Sequence, residues 1–141
     1  MKLSLTLEVQ SDPRLLSVIR SAVERFAGVV GFSEEDCRAI TAAVDEAVTN
    51  VIRHAYQNRH DQPIRIVFEA RDDGLEFVLT DRGLAPDPAK LRGRPLEQVR
   101  PGGLGTHIMA RVMSRVEYET SAEGNRLRLF KALESKPAGG G

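Results

Sequence analysis

The 141-residue sequence has a single cysteine, Cys37, and no tryptophan, and aromatic residues make up only 5% of it. One thiol forms no internal disulfide and supplies no cysteine-based zinc site, so the fold has to be held by its core. The three histidines, His54, His60 and His107, are not at metal-ligand spacing. Charge of one sign is missing too: 20 Lys+Arg balance 20 Asp+Glu, for a formal net charge of zero. A general nucleic-acid binder carries a basic excess, so no direct nucleic-acid partner is expected. No apolar run approaches the roughly 18 residues that cross a bilayer. Met1-Lys2-Leu3-Ser4 opens without the apolar stretch of a secretory signal. The expectation is a protein with no membrane partner, in the cytoplasm. What is present is ordinary for a globular chain, 41% hydrophobic and 28% charged, at a length that suits one domain. The expected domain is 1–134, with Pro137-Ala138-Gly139-Gly140-Gly141 inside a disordered tail, 135–141.

Residues 2–10 alternate, with Leu3, Leu5, Leu7 and Val9 on one side, the period of a half-buried strand. Asp12-Pro13 offers an N-cap with proline at the first helical position, and apolar residues at helical spacing follow as far as Gly28 or Gly31. Ser33-Glu34-Glu35-Asp36 is a second start signal, a hydroxyl cap with acids in the first turn, opening a helix to about Tyr56. Ile64, Ile66 and Phe68, then Leu75, Phe77 and Leu79, mark two strands around an Asp72-Asp73-Gly74 hairpin turn. The stretch from Arg82 to Gly102 shows no period, contains four of the seven prolines, and is rich in arginine. A loop that long in a small domain is more often functional than incidental. A short helix around Ile108 to Met113, a strand around Val116 to Thr120, a turn at Ala122-Glu123-Gly124-Asn125 and a last strand close the chain. The order β-α-α-β-β-loop-α-β-β favours an α+β two-layer sandwich, with a mixed, mostly antiparallel sheet and helices on one face.

The second helix carries chemistry on its non-core side. At about 100° per residue, Cys37, Ile40, Val44, Val48, Val51 and Ala55 form the core stripe. Glu46, Asn50, Arg53 and His54 fall roughly opposite. The plain interpretation is a solvated face. Against it, the same arc one to two turns earlier holds Ala39, Ala42 and Ala43, whose small side chains suit the wall of a cleft. Glu46 and Asn50 are one turn apart and adjacent on the surface. That pair suits Mg²⁺ when phosphate oxygens supply most ligands, because Mg²⁺ takes only one or two protein oxygens. Asn50 can give an oxygen to the metal, and Glu46 can orient or deprotonate a nucleophile. His54 is either a phosphate donor or a histidine capping the helix end.

Two further signals follow. Asp81-Arg82-Gly83 ends a strand; an ionised carboxylate only accepts hydrogen bonds, so it can take adenine's exocyclic amine while guanine's keto oxygen repels it. Gly83 lets the chain approach a flat ring. Taken alone, Asp-x-Gly is usually just a turn. Gly102-Gly103-Leu104-Gly105 then opens a helix, where exposed N–H groups and the helix dipole make a phosphate cradle, and Thr106 and His107 can add donors. It is neither a Walker A loop nor a dinucleotide fingerprint, and a flexible hinge is the competing interpretation.

In that order the three signals resemble a known family. Asp45-Glu46-Ala47-Val48-Thr49-Asn50-Val51-Ile52-Arg53-His54-Ala55-Tyr56 resembles the N-box of the gyrase/histidine-kinase/MutL ATPase superfamily, in the version found in bacterial anti-sigma factor serine/threonine kinases. Asp81-Arg82-Gly83 is similar to its adenine box, and Gly102-Gly103-Leu104-Gly105 to its second glycine box, so the likeness spans about residues 3–133. The resemblance implies a Bergerat-type sandwich binding ATP and Mg²⁺ beneath a lid at roughly 84–101. It implies Glu46 as catalytic base and Asn50 as Mg²⁺ ligand. Asp81 would read adenine, Gly83, Gly103 and Gly105 would shape the pocket, and Leu104, Thr106 and His54 would complete the ATP site. It also implies partner switching, in which a homodimer sequesters a sigma factor and phosphorylates a serine on an anti-anti-sigma antagonist. The alternatives are a non-catalytic nucleotide-binding module that acts only by protein–protein binding, and a small structural domain with no ligand.

Overall fold

The computed structural model describes residues 2–85 and 105–134, with the side chains of 105–107 left out. Strand β1, Ser4–Gln10, leads through a 3-10 turn, Pro13–Leu15, into helix α1, Leu16–Val30. Helix α2, Glu34–Asn50, is prolonged by a π-helical turn, Val51–Ala55. The hairpin of β2, Pro63–Arg71, and β3, Gly74–Asp81, follows. Helix α3, Gly105–Val112, then precedes β4, Arg115–Ser121, and β5, Gly124–Ala132. The expected order of elements is therefore found. The expected tail, 135–141, and the expected lid from residue 86 onward lie outside the described residues.

The helix starts follow from their caps. Asp12 Oδ1 accepts from the Arg14 N–H at 2.9 Å, and Ser33 Oγ accepts from the Asp36 N–H at 3.1 Å. Each satisfies a donor that a helix N-terminus leaves unpaired. Helix α1 stops at Gly31, whose φ of 121° lies in the region that glycine tolerates best.

The sheet order is β1-β2-β3-β5-β4, and every neighbouring pair is antiparallel. Because β5 lies between β3 and β4, its first residues sit beside the last residues of β3, with Asp81 opposite Asn125. Leu5, Phe68, Phe77 and Leu129 align across four strands on the face that receives the helices. Phe26 of α1 meets the Phe68 ring edge-on at 5.4 Å, and Phe68 meets Phe77 at 5.1 Å. Such pairs add about 0.5–1.5 kcal/mol beyond the area they bury. The other face carries Glu8, Arg65, Thr80, Arg126 and Glu119 in one row, with Arg65 paired to Glu8 and Arg126 to Glu119. Period-2 alternation thus divides the sheet into a helix-covered side and a charged side. Helix α2 packs against both α1 and α3, which makes it the middle helix of its layer.

Candidate functional site

The central place of α2 decides which of its residues remain open. Cys37, Ile40, Val44, Val48 and Val51 are buried, as the core stripe predicts. Ala43 and Ala47 are buried as well, because α2 is flanked by helices and not only by the sheet. The expectation that Ala43 lines a cleft wall is therefore corrected: it is a packing residue, and Ala42 and Ala39 are what remain of that small-residue stripe. Glu46 and Asn50 are half-buried, and Arg53 and His54 are exposed. Among the described residues, no hydrogen bond or ion pair holds the Glu46 or Asn50 side chain, whereas neighbouring Asp45 pairs with Arg20 at 3.1 Å. No cluster of three or more His, Cys, Asp or Glu able to cage a metal occurs among the described residues.

The helix then changes pitch. In the π-helical turn the Tyr56 N–H donates to Val51 O at 2.9 Å, one residue further back than in an α-helix. Gln57 and Asn58 follow with φ of 52° and 65°, turning the chain toward β2. This end of the helix meets the Asp-x-Gly corner. The Leu84 N–H donates to Ala55 O at 2.8 Å, so a carbonyl left over at the helix end finds a donor. The Tyr56 hydroxyl donates to Pro63 O at 2.5 Å and accepts from the Arg82 N–H at 2.9 Å. One buried phenol therefore ties the helix end to the start of β2 and to the residue after Asp81.

Gly83 is glycine because of that contact. A Cβ there would lie 2.3 Å from Ala55 O and 2.8 Å from Ala55 Cβ. The expected reason, approach to a flat ring, is thus joined by a reason internal to the fold.

Asp81 is 7% exposed. Its Oδ1 accepts from the Gly83 N–H and from Asn125 Nδ2, each at 2.8 Å. Among the described residues no donor meets Oδ2. Burial pushes the Asp81 carboxyl above the usual carboxylate range, and the Asn125 and Gly83 donors pull it part of the way back. Burial and the nearby Asp81 charge together push the Tyr118 hydroxyl strongly up, so this β4 tyrosine shares the same poorly solvated neighbourhood. Gly124 lies against the backbone of the same corner: its φ is 131°, and a Cβ would stand 2.3 Å from Asp81 O.

The fold thus joins the Glu46–Asn50 helix to the Asp81–Gly83 corner through Ala55 and Tyr56. Gly103 and Leu104 lie outside the described residues; Gly105 is the first residue of α3, and nothing is described of the Thr106 side chain. Sequence reasoning misses Asn125 as a site residue, placing it in a turn. Its only local signal is the glycine before it, because its partner lies 44 residues away.

Comparison with known proteins agrees with this architecture. The profile of the Histidine kinase-like ATPase domain matches residues 9–131. The serine-protein kinase RsbW of Oceanobacillus iheyensis is 30% identical over 119 residues, covering 79% of this chain and 75% of that protein. RsbW of Halalkalibacterium halodurans is 28% identical over 139 residues, covering 93% of this chain and 84% of that protein. Among solved structures, the RsbU and RsbW domains of a Mycobacterium tuberculosis protein superpose with a TM-score of 0.66 at 18% identity, over 92% of this chain and 31% of that longer one. The SiaB–SiaC complex of Pseudomonas aeruginosa gives 0.64 at 15% identity, over 92% of this chain and 88% of that one. The chain belongs to the histidine kinase-like ATPase family, in the branch that holds the anti-sigma serine-protein kinases.

Proposed function

We propose that this protein is an ATP-dependent serine kinase of the partner-switching kind. It phosphorylates a serine on an anti-anti-sigma antagonist and, in its other state, sequesters a sigma factor, acting as a homodimer. The observation that carries the nucleotide part is the division of labour in the Asp81 carboxylate. One oxygen is taken by two protein donors, and the other meets none among the described residues. An acceptor-only oxygen in a poorly solvated corner suits the exocyclic amine of adenine.

The chemistry is assigned to α2. Asn50 would hold Mg²⁺ through its carbonyl oxygen. Two oxygen-bearing side chains one turn apart, with no caging cluster around them among the described residues, fit an ion that draws its remaining ligands from phosphates and water. The ion, when bound, offsets charge on the phosphate oxygens. Glu46 accepts the proton of the incoming serine hydroxyl; its side chain has no competing partner among the described residues. Gly83 keeps the corner against Ala55. Gly103, Leu104, Gly105 and Thr106, with His54 at the helix end, are assigned to the phosphates. The names of the related serine-protein kinases favour transfer over mere binding.

The test is incubation with Mg-ATP and the antagonist, followed by detection of phosphoserine. Glu46→Gln is expected to lower transfer by about 10²–10⁴-fold, the usual worth of a general base. Nucleotide affinity by calorimetry should stay near wild type. Normal transfer by that variant removes Glu46 from the role. Nucleotide binding by the wild type with no phosphoprotein turns the reading into that of a non-catalytic module.

A further inference from the structure

Resting on the adenine-nucleotide reading above, we infer that Asn125 is a positioning residue. Its carboxamide locks the Asp81 carboxylate so that a single oxygen is offered to the base, and this sets the preference for adenine over guanine.

Asn125 is 3% exposed. Its Nδ2 lies 2.8 Å from Asp81 Oδ1, 3.1 Å from Gly83 O and 3.3 Å from Leu84 O. All three are acceptors, so the atom facing them must be the amide nitrogen and not the oxygen. One side chain therefore grips the carboxylate and both carbonyls of the corner that follows it. Gly124 makes the grip possible. With φ at 131° and no Cβ, it lets β5 run against the Asp81 backbone, which delivers the next side chain onto the carboxylate.

The consequence for selectivity is geometric. A carboxylate free to turn can present both oxygens side by side to the adjacent N1–H and N2 amine of guanine, the bidentate pattern. With Oδ1 held by two donors, that presentation is blocked. One acceptor remains, Oδ2, which meets no donor among the described residues and matches adenine's single exocyclic amine. Specificity of this kind comes as much from what the site prevents as from what it attracts.

The experiment compares wild type, Asn125→Asp and Asn125→Ala by calorimetry with ATP and GTP at pH 7.5 and 5.5. The Asp81 carboxyl is followed by ¹³C NMR titration without nucleotide. Both variants should bind ATP about tenfold to a hundredfold more weakly at pH 7.5, the worth of a hydrogen bond to a charged group. Their ATP:GTP ratio should fall by at least about tenfold, and the Asp81 carboxyl should titrate at higher pH than in wild type. Asn125→Asp should regain ATP affinity at pH 5.5, where the introduced carboxyl can carry a proton and donate it to Asp81. Asn125→Ala should not. A merely structural role would lower melting temperature, and could move the titration through the lost hydrogen bond, without moving the ratio. Should Asn125→Asp not fold, Asn125→Ala still decides on the ratio. Wild-type preference for ATP with an unchanged ratio in the variants overturns the role of Asn125 and leaves the nucleotide reading standing. A wild type with no adenine preference overturns both.

Discussion

Two glycines separate space from flexibility, and a matched pair of substitutions tests the distinction. In Gly83→Ala the new methyl would sit 2.3 Å from Ala55 O, 2.5 Å from Ala55 C and 2.8 Å from Ala55 Cβ. Two of these are backbone atoms, so no side chain can swing aside. Either the corner lifts or the end of the π-helical turn moves, and the Leu84 N–H to Ala55 O bond at 2.8 Å is strained in both cases. Forcing a methyl into packed surroundings costs about 1–3 kcal/mol. Losing the backbone bond adds about 1 kcal/mol. Against this, alanine restricts the unfolded chain and returns about 0.4–1 kcal/mol. The net is a loss of about 1–3.6 kcal/mol. At this chain length that lowers the melting temperature by roughly 3–14 °C. Gly28→Ala is the control: in α1 a Cβ meets nothing within 4 Å, and the backbone is helical. It should stabilise by about 0.5–1 kcal/mol. Urea titrations of both variants with unchanged m-values provide the numbers. A Gly83→Ala protein as stable as wild type would show that the corner yields freely, and would remove the claim that it is pinned to the helix.

Other outcomes follow from the same corner. Asp81→Asn should stabilise the protein without nucleotide while abolishing its preference for ATP, the trade expected where a site holds an unfavourable charge. The sign with pH is fixed by the direction of the shift. The folded carboxyl titrates above its unfolded value, so the stability it contributes is full below about pH 3.8 and is lost as pH rises through the folded value. The melting-temperature advantage of Asp81→Asn should thus be largest near neutrality and shrink on acidification; a constant difference refutes the assignment. Tyr56→Phe leaves the Arg82 N–H and the Pro63 carbonyl without their shared partner and should cost about 1–3 kcal/mol by chemical denaturation. The Arg82 amide should exchange faster than in wild type, and unaltered exchange would show that the phenol is not its acceptor.

How much of this is legible in the sequence depends on the range of each signal. The caps at Asp12 and Ser33 and the alternation in β1 and β2 are local and are read correctly. The Glu46 and Asn50 pair is equally local, since one turn of helix fixes its spacing. Ala43 is misread because a helical wheel knows one buried side, whereas α2 has a helix on each flank as well as the sheet beneath. The π-helical turn is invisible to a wheel drawn at constant pitch. Asn125 is hidden for a different reason. Its meeting with Asp81 requires that β5 insert between β3 and β4, and no local pattern records which strand neighbours which. Gly83 shows a mixed case: the demand for glycine is legible, but the Ala55 carbonyl that makes the demand is not.

Those hidden contacts share a direction. Ala55 presses on Gly83, Tyr56 bridges to Arg82, Gly124 abuts Asp81, and Asn125 binds the carboxylate, so every restraint converges on one residue and its two successors. The protein accepts a buried carboxylate whose ionisation is opposed by its surroundings. Such a group is costly to keep unless it is held ready for a partner. On the proposed reading, the ordering of the base-recognising corner takes place when the chain folds and not when the nucleotide arrives. Binding energy gained there is then not consumed in arranging the site, the general advantage of preorganisation. The converse is that loosening any one brace should weaken ATP through Asp81 even where the substituted residue never touches the base. Variants at Tyr56, Gly83 and Asn125 should therefore lose affinity non-additively, since each acts through the same carboxylate. Strictly additive losses in the double variants would mean that the restraints are independent and that the corner does not act as one unit.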